Sequence, residues 1–353
     1  MRILFFFVHP SKYHLFKYTI NYLKSHGHNV DIAIISKDVL EELVKNEGWV
    51  YTNIFPEGRR SKSSNKYAIL WSTGINFFKT IYRLFKFTKN KKYDLFITDD
   101  CLSIVGRLKK VPTLMFIDDD LKTVPENFIL YKCATNIITP ACTDLKKYNN
   151  KKLSVKSYKE LAYLHPDYFS PNIEIIKKFN PTILPYAIIR LVALTASHDR
   201  CKKGITNDIL RKIITILNKK YKVYISTERN LPDDFNEYKI KIKVNDIPHA
   251  IYFASLLIGD SQTMCSEASV LGTPVIRFND FSGKISVMEE KENKYGLMYN
   301  FSTNEYDNMF SKLNELMNLT DLKKDWKIRK DKMLQDMEDI NLFFIKEIEK
   351  YKS

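Results

Sequence analysis

The chain has 353 residues, 44% of them hydrophobic and 13% aromatic, with only 10 glycines and 12 prolines. That length excludes a single small module, and that composition excludes a disordered, collagenous or low-complexity chain, leaving a prior of two packed domains. The formal charge is +15, and it is uneven: residues 1–170 hold 27 basic and 16 acidic side chains, residues 171–353 hold 29 and 25.

Arg2 to Val8 is an apolar run too short to span a membrane and reads as a buried strand, followed by a Pro10-Ser11 turn and a helix carrying Tyr13, Phe16, Ile20 and Leu23 that ends near Gly27. Asn29 to Ile35 is a second strand, Lys37 to Asn46 a helix, and Val50 to Ile54 a short extended segment. Further strands are predicted at Asp94–Thr98, Thr113–Ile117 and Asn136–Thr139. Strands alternating with helical segments predict βα units and a parallel sheet. Pro166, Pro171, Pro181 and Pro185 interrupt any regular element between Tyr163 and Pro185, which places a domain boundary there. The pattern restarts with strands at Ile188–Thr195, Lys222–Ser226, Leu256–Gly259 and Pro274–Phe278, and helices at Asn207–Lys220 and Thr263–Leu271. A charged helical stretch from Asp321 to Tyr351 closes the chain. The expected organisation is an N-terminal domain over 1–165, a linker over 166–185, a second domain over 186–325, and a C-terminal helix over 326–353 that packs back on the first domain.

The five cysteines are odd in number and contain no C-x-x-C pair, so neither a disulfide framework nor a zinc site is expected. With no visible secretion signal or transmembrane anchor, the expected location is the cytoplasm.

Ligands of open parallel sheets bind beyond the carboxyl ends of the strands. The polar residues there are His9 and His14; Asp99 and Asp100; Asp118, Asp119 and Asp120; Thr195, Ser197, His198 and Asp199; and Asp260, Ser261, Gln262 and Thr263. Turn and capping roles are the alternative reading of each. The segment from Gly259 to Pro274 is the most informative. A strand ends, hydroxyl residues open a helix whose free N–H groups suit a diphosphate, and Glu267 lies further along, placed to accept from sugar hydroxyls. A well-capped helix with a solvated glutamate is the competing reading.

Gly-Asp-Ser-x-Thr from Gly259, followed by Ser266-Glu267-Ala268 and Leu271-Gly272-Thr273-Pro274-Val275-Ile276, resembles the nucleotide-sugar segment of two-domain GT-B-type proteins, especially the non-hydrolysing UDP-N-acetylglucosamine 2-epimerases. A GT-B-like family known as domain of unknown function 354 is more similar still. It is matched by Phe7-Val8-His9-Pro10 with His14 and Phe16, by Leu161 to Phe169, and by Ala193 to Asp199. The resemblance implies an α/β, GT-B-type fold: two Rossmann-like doubly wound domains facing an interdomain cleft.

For a glycosyltransferase, it further implies a nucleotide-diphospho-sugar donor, UDP-linked, in the second domain, on Thr195, Ser197, His198, Lys203, Gly259, Asp260, Ser261, Gln262, Thr263, Glu267 and Arg277. A glycan or lipid-linked acceptor would occupy the first domain, with His9 or His14 as base, in surface polysaccharide or glycoconjugate synthesis. No metal is required, since helix N-termini and basic groups can stabilise the leaving diphosphate. The Asp118–Asp120 run resembles a D-x-D metal motif, but the two-domain pattern is wrong for it. The epimerase alternative implies proton transfer by Asp99 or Asp100, Asp118 or Asp119, and His198. This sequence lacks the epimerases' Gly-Thr-Arg first loop and keeps only Arg277 of their later arginine-rich segment, which favours glycosyl transfer. A non-catalytic sugar-nucleotide or glycan-binding protein is the third reading.

From Gly58 to Tyr93 there is no acidic residue, while Arg59, Arg60, Lys79, Arg83 and Lys86 interleave with Trp71, Phe77, Phe78, Tyr82 and Phe85. Such a stretch suits an anionic membrane surface, making the protein peripheral at the inner face, or an acidic acceptor glycan. No nucleic-acid-binding motif is present, and no such partner is expected.

Overall fold

The computed structural model describes residues 1–36, 39–58, 66–193 and 204–352, with no side chains described for residues 66–71. The chain divides into two compact units, residues 1–163 with 338–353, and residues 164–337.

The first unit runs β1 (Arg2–Phe7), α1 (Pro10–Ser25), β2 (Asn29–Ile34), α2 (Leu40–Asn46), β3 (Thr52–Asn53), α3 (Lys66–Phe87), β4 (Leu95–Thr98), α4 (Leu102–Lys109), β5 (Thr113–Phe116), α5 (Phe128–Cys133), β6 (Asn136–Pro140), β7 (Lys152–Val155) and α6 (Leu161–Leu164). Its strands form one parallel sheet in the order β3-β2-β1-β4-β5-β6-β7. The order reverses beside β1, the topological switch where such sheets bind ligands. Ile3 to Phe7 are completely buried because β1 is covered on both faces. Ile3, Phe5 and Phe7 face the core under α1 and α2, whereas Leu4 and Phe6 face the core under α3, α4 and α5. An unbroken apolar run is what such a central strand needs.

Gly106 lets α4 lie close on this sheet. A Cβ there would fall 2.0 Å from Thr113 Oγ1 and 2.9 Å from the Val111 carbonyl oxygen. Gly106→Ala is expected to destabilise the protein by about 1–3 kcal/mol, read as a lower urea midpoint at unchanged slope.

The second unit runs α7 (Ile173–Lys177), β8 (Tyr186–Leu191), α8 (Asn207–Leu217), β9 (Lys222–Thr227), α9 (Ile247–Phe253), β10 (Leu256–Gly259), α10 (Gln262–Leu271), β11 (Val275–Phe278), α11 (Ser286–Asn293), β12 (Tyr299–Phe301), α12 (Tyr306–Asn318) and α13 (Leu322–Asp336). Its parallel sheet has the order β12-β11-β10-β8-β9. Residues 164–185 belong to this unit and are not a separate linker. They are tied in by α7, whose cap Asn172 receives the Glu174 amide and gives its own amide to His249 Nδ1.

The single helix expected over 321–351 is two. α13 stays in the second unit, where buried Trp326 donates from Nε1 to the Leu297 carbonyl at 2.7 Å. After a break at Met337 to Asp339, α14 (Ile340–Glu349) begins in the first unit. The break is specified by Asp339, whose carboxylate accepts from the Asn341 and Leu342 amides and caps the new helix. Glu338 anchors the same turn by exchanging backbone and carboxylate bonds with Lys156. Phe344 then packs against Phe16 and Phe116 at 5.3 and 5.6 Å, a burial worth roughly 2–3 kcal/mol. No helix among the described residues is long and apolar enough to cross a membrane.

Candidate functional site

In the first unit the strand ends beside the switch converge on a lysine. Pro10 starts α1 and His9 caps it, its Nδ1 accepting the Ser11 amide at 3.2 Å. Lys12 follows in the first turn, where the helix dipole disfavours a cation. Its ammonium lies 3.6 Å from Asp118 Oδ1 and 4.0 Å from Asp99 Oδ2, beneath which Phe116 presents its ring at 4.7 Å and its carbonyl at 3.5 Å. On the far side, Lys159 Nζ meets Asp118 Oδ2 at 2.5 Å and Glu160 at 3.9 Å. Two lysines and three carboxylates, all delivered from just beyond the ends of β1, β4, β5 and β7, thus share one largely buried cluster.

Asp99 is the unusual member. Burial pushes its carboxyl up to about 6; Lys12 opposes this and the charges of Asp100 and Asp118 reinforce it. Its Oδ1 is buried and has no hydrogen-bond partner among the described residues, which adds to the cost of its charged form. Lys159 goes the other way: burial would lower it, but Asp118, Glu160 and Asp119 raise it on balance, so it stays a cation.

The other polar strand-end residues have structural work. Asp100 Oδ1 accepts the Cys101 amide at 2.5 Å, and Asp120 Oδ1 accepts the Asp144 amide at 2.7 Å. His9 is engaged as the cap of α1. His14 lies between Tyr13 and Tyr163, with ring centroids 5.0 Å from each, and burial, aided by Lys17, lowers it to about 4. A histidine so low is a weak base, and Asp99 is the better placed proton acceptor. Lys12, Lys159 and Glu160 were not singled out from sequence. A lysine in the first turn of a helix, against the dipole, was the available signal for Lys12.

In the second unit Gly259 ends β10 between Arg190 and Arg277, its register partners on β8 and β11. A Cβ on Gly259 would stand 2.9 Å from the Arg190 carbonyl oxygen, so only glycine fits. Ser261 caps α10, accepting the Met264 amide at 3.3 Å, and Gln262 and Thr263 stand partly exposed in the first turn. This is a ready anion site. Glu267 is buried on α10 beside Ser266, which takes the ammonium of fully buried Lys291.

Asp260 and Arg277 are committed elsewhere. The Asp260 carboxylate accepts the Val192 amide at 2.7 Å, the Ile205 amide at 3.4 Å and Arg229 Nη2 at 2.9 Å. Burial nonetheless pushes Asp260 up to about 6. It therefore ties Val192, Ile205 and Arg229 together. Arg277 is fully buried, donating from Nε to Asn300 Oδ1 at 2.8 Å and from Nη2 to the Phe281 carbonyl. Asn300 in turn donates to Glu292 at 2.7 Å, so Arg277 braces β11 and β12 from within. Thr195, Ser197, His198 and Lys203, and the patch residues Arg59 and Arg60, lie outside the described residues, as does the Trp71 side chain.

The basic patch on α3 is smaller than its sequence suggests. Lys79 and Arg83 both pair with Glu57, at 2.8 and 2.7 Å, while Lys86 remains exposed.

The model of the family described as Protein of unknown function (DUF354) matches residues 6–351. The chain belongs to that family. No curated protein matches it. Among solved structures, S. aureus MnaA with UDP aligns at TM-score 0.70 and 12% identity, covering 99% of this chain and 96% of that one. The UDP-GlcNAc 2-epimerase of Neisseria meningitidis, bound to UDP-GlcNAc, aligns at 0.66 and 13%, covering 95% and 100%. The glycotransferase of kitacinnamycin aligns at 0.62 and 11%, covering 99% and 98%. These likenesses establish the fold: GT-B-type, with two Rossmann-like α/β domains.

Proposed function

We propose that this protein is a glycosyltransferase that moves a sugar from a nucleotide diphosphate, UDP-linked, to an acceptor hydroxyl in surface polysaccharide or glycoconjugate synthesis. The observation that carries the reading is Asp99: a buried carboxyl poised near 6, with an unpartnered oxygen, at the topological switch of the first sheet. Asp99 takes the proton of the acceptor hydroxyl as that oxygen bonds to the sugar C1. The C1–O bond to the diphosphate breaks, and UDP leaves. In the second unit, the N-terminus of α10 with Gln262 and Thr263 offers N–H groups suited to a diphosphate. No metal enters this scheme. Lys12 and Lys159 position the carboxylates, with Asp118 between the two ammonium groups.

One feature favours a second reading, C2 epimerisation of a UDP-N-acetylhexosamine. Asp99 and Asp118 are two proton-handling groups joined by Lys12, and epimerisation needs an acid and a base. Proton NMR of the protein with UDP-N-acetylglucosamine in deuterium oxide, without acceptor, separates the two. Persistent donor signals without deuterium at C2, together with UDP release that rises about tenfold or more on adding octyl glycoside acceptors, are expected for glycosyl transfer. A new anomeric signal with deuterium at C2 establishes the epimerase. Failure to bind any UDP-, GDP- or dTDP-sugar in calorimetry overturns both.

A further inference from the structure

α3 carries two apolar faces where one suffices. Phe77, Ile81, Leu84 and Phe87 pack inward on the core beneath α3, α4 and α5. Ile75, Phe78, Tyr82 and Phe85 follow one another at spacings of three and four residues on the opposite face, with Phe78 71% and Tyr82 67% exposed. The end of α4 adjoins this stripe, since Lys109 Nζ lies 4.6 Å from the Phe85 ring centre, and it adds Leu108 at 64% exposure. Isolated exposed apolar residues are ordinary; a stripe of four with a fifth beside it is not.

The charge around the stripe is predominantly positive. Glu57 offsets only one of the two charges of Lys79 and Arg83, and further cations are Lys86 and Lys89 on and after α3, and Arg107, Lys109 and Lys110 at the end of α4. No acidic residue occurs in Gly58–Tyr93 or in Cys101–Ile117. The cations are close enough to oppose one another: burial first, then the charge of Lys89, lowers the Lys109 amine.

We propose that the α3–α4 face of the first unit docks on an anionic lipid bilayer, inserting Ile75, Phe78, Tyr82 and Phe85 at the headgroup boundary while Lys86, Lys89 and Lys109 engage lipid phosphates. An amphipathic helix flanked by lysines, with an aromatic whose hydroxyl stays wet, has the chemistry of that boundary. A second copy of the chain is the wrong occupant, because a two-fold contact would press this predominantly positive surface against itself. As a crossover between parallel strands, α3 starts at the sheet edge that carries Asp99 and Asp118. Docking therefore sets the first turns of the helix and the carboxylate cluster toward the same edge of the unit.

The test is cosedimentation of the full chain with vesicles of phosphatidylcholine alone or with about a third phosphatidylglycerol. Binding to the anionic vesicles only, weakened by salt, is expected. Phe78→Ser with Tyr82→Ser, and separately Lys86→Glu with Lys89→Glu, should each weaken it about tenfold or more at unchanged melting temperature, since all four side chains are exposed. The proposal is overturned if wild type ignores anionic vesicles at low salt, or if binding survives the Phe78 and Tyr82 changes. It is also overturned if soluble polyphosphate displaces the protein as well as lipid does, or if those changes instead dissolve a dimer in sedimentation velocity. Donor-sugar calorimetry on the same variants is expected to be unchanged, which keeps this result separate from the proposed reaction.

Discussion

Asp99→Asn is expected to cut nucleotide-sugar turnover by about 10²–10⁴-fold, the range that removal of a general base produces, while donor affinity stays within about twofold. Asparagine keeps the shape and the hydrogen-bonding oxygen but cannot take a proton. Because Asp99 sits at about 6, the rate of the wild-type protein should fall on the acid side of that value, and this limb should vanish in the variant's residual rate. Turnover within a few-fold of wild type would remove Asp99 from the mechanism.

The same substitution should also raise stability at neutral pH. The ordinary carboxyl value is 3.8 and burial raises Asp99 to about 6, so between those values the native protein binds more protons than the unfolded chain. Stability therefore falls as pH rises through that window, and the full penalty stands above it. Its size is on the order of 3 kcal/mol, and asparagine does not incur it. Urea unfolding should show the variant equal to wild type near the acid end of the window and more stable above it. A residue that costs stability and supplies activity is the pattern expected of a functional group. If Asp99→Asn is less stable than wild type at neutral pH, the carboxylate is there for structure and its attraction to Lys12 outweighs its burial.

Much of this fold was legible in the chain. The unbroken apolar run of β1, the strand-turn-helix of β10 and α10, and Asp99 and Asp118 at strand ends all follow from local pattern, because parallel strands are buried on both faces and their carboxyl ends face solvent. What local pattern does not carry is partnership across the chain. Lys12 meets Asp118, Lys79 and Arg83 meet Glu57, and Asp260 meets Val192 and Ile205 only after the sheets form. Hence the α3 patch looked more basic than it is, and the bonds that Asp260 makes to Val192, Ile205 and Arg229, and Arg277 to Asn300 and Phe281, could not be read from their positions in the chain. Edge strands β7 and β12 escaped notice because three or four residues such as Tyr299-Asn300-Phe301 show no periodicity of their own. The break at Met337 to Asp339 carries neither glycine nor proline, and only the capping bonds of Asp339 and the Glu338–Lys156 contact end one helix and start the next.

Asp260→Ala tests the second unit. Its carboxylate is fully buried and closes a knot of three donors: the Val192 and Ile205 amides and the Arg229 guanidinium, which also donates to the Ile205 carbonyl at 2.8 Å. Gly204 passes so near that a Cβ would lie 2.7 Å from Asp260 Oδ2, so the loop is built around this carboxylate. Removing it strands two amides and leaves Arg229 without its counterion. Breaking a fully buried pair costs about 3–5 kcal/mol, and because Arg229 is 25% exposed a loss of about 2–4 kcal/mol is expected. For a unit of this size that lowers the melting temperature by roughly 5–15 °C, seen by calorimetry in the transition of residues 164–337. A residue that served only to accept from the donor's hydroxyls would behave otherwise: its loss would weaken donor binding and leave the melting temperature in place. That split, binding lost at unchanged stability, is the result that would return Asp260 to the donor site.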